Sequence, residues 1–121
     1  LGAGINVNGP GVLQFSGSSS NTYGGATTIS GGTLLLNKTA GAAIPGNATI
    51  NGGTLLLGAS GQIPNTSTIV LSSGSFNLNG FLETIGTLNF NGGNLSQGGA
   101  TLSLANAGTA LSMRNTTITG N

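Results

Sequence analysis

The chain has 121 residues, 24 of them Gly, and only three charges, Lys38, Glu83 and Arg114, for a net charge of +1. With no His, no Cys and a single acid, it lacks the parts for a two-carboxylate mechanism, a His-assisted nucleophile, a transition-metal site or a calcium loop. The expectation is a protein that is not an enzyme and holds no metal or cofactor.

Two basic residues make no electropositive field, and five scattered aromatics (Phe15, Tyr23, Phe76, Phe81, Phe90) make no stacking platform, so nucleic acid is not an expected partner. The longest apolar runs, such as Leu34-Leu35-Leu36 and Leu55-Leu56-Leu57, fall far short of the roughly 20 residues of a membrane-spanning helix. Low charge with 36% apolar residues also speaks against a disordered linker. The Gly/Asn/Ser/Thr bias with few Lys or Arg is that of secreted bacterial surface fibres, which points to an extracellular or cell-surface location. The chain starts without Met or a basic leader, and is expected to be a mature product or an excised segment.

Along the chain, Gly11-Val12 opens a first repeat. Thr28-Ile29-Ser30-Gly31-Gly32-Thr33-Leu34-Leu35-Leu36 follows and returns 21 positions later as Thr49-Ile50-Asn51-Gly52-Gly53-Thr54-Leu55-Leu56-Leu57. A looser copy occupies Val70 to Leu78. Ile44-Pro45 and Ile63-Pro64 each precede the next Ile of the pattern by six residues. Short runs at Thr27–Ile29, Thr33–Leu36, Thr54–Leu57, Thr87–Phe90 and Thr101–Leu104 read as strands, since Gly-Gly, Asn-Gly and Ser-Gly break the chain too often for helices. Strand alternation sets Leu34 and Leu36 on one face and Leu35 on the other.

A Thr followed by an aliphatic residue recurs at Thr28, Thr49, Thr68, Thr84, Thr101 and Thr117. Taken as one pair per coil, with Val12 upstream, this predicts a single all-β solenoid over residues 1–121. The expected fold is a right-handed parallel β-helix of about seven short coils near 12, 28, 49, 68, 84, 101 and 117. Each coil buries its aliphatic column against the next, about 4.8 Å away. A sandwich or barrel is the competing all-β reading, but would not repeat a nine-residue motif in register. After Gly80 the spacing allows two coil alignments.

The stretch Asn21-Thr22-Tyr23-Gly24-Gly25-Ala26-Thr27-Thr28-Ile29-Ser30-Gly31-Gly32-Thr33-Leu34 resembles the autotransporter-associated β-strand repeat of bacterial passenger regions. So does Leu71 to Gly80 followed by Thr84-Ile85-Gly86-Thr87-Leu88. The resemblance runs from about Gly11 onward and implies a passenger-type solenoid used as a stalk. The signal peptide and C-terminal membrane barrel of that family are not in these residues, so the chain is not expected to secrete itself.

Several surfaces follow from the repeat. The six Thr are expected to line one outer face, either as an ice- or polysaccharide-binding array or as a plain solvent-facing ladder. Leu35 and Leu56 would lie side by side outside and form a lateral contact, unless a bend covers them. Five Asn-X-Ser/Thr triplets (Asn37, Asn47, Asn65, Asn94, Asn115) match the number expected by chance closely enough to carry no glycosylation argument. Lys38 and Arg114 are too far apart in coil number to form a patch, and Glu83 is expected to be paired or solvated beside the Phe81-Leu82 turn. Without visible caps, the ends are expected to continue axially, with either adjoining repeats or a second copy as the partner. Glycans or host surfaces are further candidate partners.

Overall fold

The computed structural model describes residues 2–106 and 111–113. Among them, strands in chain order are β1 (Ile5–Val7), β2 (Val12–Gly17), β3 (Thr27–Ile29), β4 (Thr33–Lys38), β5 (Ala48–Leu57) and β6 (Thr68–Asn77). Then come β7 (Glu83–Ile85), β8 (Thr87–Phe90), β9 (Asn94–Ser96), β10 (Leu102–Leu104) and β11 (Leu111–Met113). Every strand pairing is parallel. The chain is an all-β parallel solenoid of about five turns.

A first face stacks β1, β3, the start of β5, the start of β6, β8 and β11. The second face stacks β2, β4, the end of β5, the end of β6 and β9. On a third face, among the described residues, only β7 and β10 form a regular pair. Equivalent residues Ile5, Thr27, Ala48, Ile69, Leu88 and Leu111 step by 22, 21, 21, 19 and 23 positions.

The expected count of about seven coils is corrected to about five. Thr68 and Thr84 belong to the same turn, because β6 lies on the first and second faces and β7 on the third. The short step between them runs around a corner and not from coil to coil. The coil near 117 lies outside the described residues.

Period-two alternation builds the core. Val7, Ile29, Ile50, Leu71 and Phe90 form one inward column, and Leu34, Leu55, Phe76 and Leu95 another. All nine are buried. A buried Leu or Ile stabilises by roughly 1.5–3 kcal/mol relative to exposure, so a strand of three residues holds only because coils on either side share its inward side chain.

The corner between the first two faces is set by glycine. Gly32, Gly53, Gly74 and Gly93 have φ of +67°, +64°, +79° and +74°. A Cβ on any of them would collide with the carbonyl oxygen of Gly9, Gly32, Gly53 or Gly74 in the preceding coil, the loosest approach being 2.6 Å at Gly93. Backbone therefore packs directly on backbone along this edge, which only glycine allows.

Candidate functional site

Where the third face lacks a regular ladder, polar side chains bridge the coils. Asn21 Nδ2 donates to Ala43 O at 2.7 Å, and Ala42 N donates to Ser20 Oγ at 2.9 Å. Gln62 is buried, and its side-chain amide accepts from Lys38 N at 2.8 Å and donates to Lys38 O at 3.0 Å. Gln62 N in turn donates to Glu83 Oε1 at 2.8 Å, and Ile63 N to Glu83 Oε2 at 3.3 Å. Each bridge substitutes for strand hydrogen bonds that the irregular backbone cannot make.

Glu83 is thus neither solvated nor paired with a cation, as the sequence suggested, but buried and held by backbone N–H groups. Burial pushes its carboxyl up to about 7, against the lowering effect of the bonds from Gln62, Ile63 and Thr84. Lys38 is also buried, and its Nζ donates to Ser16 O at 2.7 Å. Arg114 lies outside the described residues. Both Glu83 oxygens already accept backbone bonds, which suits the carboxylate to joining coils. Among the described residues there is no group of three or more His, Cys, Asp or Glu.

These polar roles escaped the sequence reading. The 21-residue spacing of Gln62 and Glu83 equals one coil step, and that was the signal available to find them.

Of the six Thr, the register brings Thr28 and Thr49 together, and the next residue of that column is Val70. Thr68 instead stacks on Thr87, and its N–H donates to Asn47 Oδ1 at 2.9 Å. Thr84 pairs with Ser103 on the third face, and Thr101 O accepts from Glu83 N. Thr117 lies outside the described residues. Thr28 and Thr49 therefore share one column, Thr68 lies in a different column of the same first face, and Thr84 lies on the third face. Leu35 and Leu56 are adjacent in register on the second face, both half-buried, with Gln14 before them and Asn77 after.

The first coil is built differently from those behind it. Among the described residues, β1 pairs only with β3, and β2 only with β4. Leu13 stands in register with the fully buried Leu34, yet is 42% exposed, and neighbouring Val12 is 68% exposed. The corner here, Gly9-Pro10-Gly11, has one residue more than the Gly-Gly corners that follow. A shallow cleft of about 290 Å³ opens there, lined by Asn6 to Gly9 and Gly11 to Leu13. Behind it, Phe15 and Tyr23 meet edge to face at 6.4 Å.

Stacked parallel coils, a shared aliphatic core and side-chain bridges define the protein as a parallel β-solenoid. Residues 5–36, the first coil and the first two strands of the second, match the family model of the passenger-associated-transport-repeat. The resemblance to autotransporter passenger repeats holds over those residues. No curated protein and no solved structure matched the chain.

Proposed function

We propose that the chain is a structural segment of an extracellular, passenger-type solenoid, a stalk that extends by adding coils along its axis. The observation that carries this reading is the first coil, where β1 and β2 are paired on one side only among the described residues and Leu13 stands exposed above the core. Such an edge offers N–H and C=O groups at strand spacing together with apolar surface, the two things a further coil supplies and takes. Near-neutrality favours stacking, because rung-on-rung like charges would repel. The reading gives the chain no catalytic role. The added coil comes from an adjoining repeat or from a second copy, and the second case gives a filament.

Electron microscopy and sedimentation of the purified chain separate the two. Axial filaments with a 4.8 Å meridional spacing, abolished by Leu13→Lys with unchanged circular dichroism, support self-assembly. A stable monomer at high concentration overturns the filament and leaves the stalk. Antibody labelling of intact source cells tests the surface location, and an exclusively internal signal overturns it.

A further inference from the structure

The sequence contains four Asn-Gly dipeptides: Asn8-Gly9, Asn51-Gly52, Asn79-Gly80 and Asn91-Gly92. This pair supports a spontaneous reaction. The glycine backbone nitrogen attacks the asparagine side-chain carbonyl carbon, a C–N bond forms, ammonia leaves, and a five-membered succinimide results. Water then opens the ring at one carbonyl or the other, giving aspartate or isoaspartate. Glycine favours the attack because it has no Cβ to obstruct ring closure. The nitrogen must also lose its proton and turn inward, which a backbone N–H held in a hydrogen bond does not do.

Three of the four pairs are restrained. Gly92 N donates to Leu71 O at 3.2 Å, and Gly80 N donates to Gln97 O at 3.2 Å. Asn79 is fixed further by its Nδ2 bond to Leu57 O. Asn51 and Gly52 lie inside β5, and a Cβ on Gly52 would stand 2.5 Å from Ser30 O in the coil before. Asn8-Gly9 differs in its bonding and in its room: its residues are exposed, as Asn79 and Gly80 also are, but a Cβ on Gly9 would meet nothing within 4 Å. The register of β1 on β3 sets Gly9 opposite Gly31, whose own N–H donates to Val7 O at 3.2 Å. Among the described residues no acceptor takes the N–H of Gly9.

We propose that Asn8 is a site of self-modification, converting through a succinimide to aspartate or isoaspartate while the other three Asn-Gly pairs are protected by the fold. Either product puts a carboxylate beside β1, and isoaspartate also lengthens the backbone at the corner between β1 and β2. Charge on a strand edge opposes pairing with another strand. The edge that is open to a further coil is therefore also the one that ages chemically while uncovered. The reaction itself does not depend on assembly.

The test is incubation of the folded chain at mildly alkaline pH, at a concentration where sedimentation shows a monomer. Peptide mapping by mass spectrometry and isoaspartyl methyltransferase labelling then read each pair. Asn8 is expected to convert at least roughly tenfold faster than Asn51, Asn79 or Asn91, with the four rates converging in urea, as local protection requires. Gly9→Ala is expected to slow the reaction without changing the melting temperature, since its Cβ enters open space. Conversion of Asn51 or Asn91 as fast as Asn8 in the folded chain overturns the proposal. So does an Asn8 rate in the folded chain no higher than that of Asn79.

Discussion

Glu83 accepts the backbone N–H of Gln62 at 2.8 Å, so a carboxylate in one coil completes the hydrogen bonding of the coil before it. Its carboxyl is raised from 4.5 to about 7, with burial as the main cause. The folded chain therefore binds a proton more readily than the unfolded chain. This contribution to stability is full below pH 4.5, falls as pH rises toward 7, and is gone above it. The chain is expected to be more stable at pH 5 than at pH 8 by on the order of 1–3 kcal/mol, and to melt at a higher temperature at pH 5. Glu83→Gln should flatten that dependence between the two pH values, and an unchanged slope in the variant would show that another group is responsible.

Gln62 does for Lys38 what a neighbouring strand would do, bonding both its N–H and its carbonyl. Gln62→Ala leaves both groups buried without partners. Urea denaturation should show a loss of about 2–4 kcal/mol, the usual cost of two unsatisfied buried groups. A loss below about 1 kcal/mol would mean that the backbone at Lys38 finds other partners.

The glycine corner supplies its own control. Gly53→Ala puts a methyl group on a backbone with φ of +64° and against Gly32 O, so it should destabilise by at least about 2 kcal/mol. Gly46→Ala meets nothing within 4 Å and should change stability by less than about 0.5 kcal/mol. Equal effects in thermal melts would refute the stacking account.

Lys38 is one of only two residues after which trypsin cuts. Its side chain is 6% exposed and its ammonium is held by Ser16 O. The Lys38–Thr39 bond should survive prolonged trypsin treatment of the folded chain and be cut rapidly after unfolding. Early cleavage there under native conditions would show that this coil opens locally.

The architecture was legible because Thr28–Leu36 and Thr49–Leu57 state the coil period outright, and the structure places them in register over β3, β4 and β5. Coil number was not legible from the Thr-aliphatic pairs, since that short pattern suits any face of the solenoid and Thr84-Ile85 sits on the third. Glu83, Gln62 and Lys38 were hidden for another reason. Polar residues normally point to solvent, yet Lys38 and Glu83 fall on the inward side of β4 and β7, and Gln62 lies between strands where its side chain bonds the Lys38 backbone.

The hydrogen bonds between coils all run along the solenoid axis, which fixes how the molecule meets force. A pull applied to its two ends loads one inter-coil seam at a time. When a seam gives way, it frees a turn of 19 to 23 residues, or about 70 Å of extended chain. Under tension such a stalk would lengthen in near-equal steps, each released coil shielding those behind it from the load.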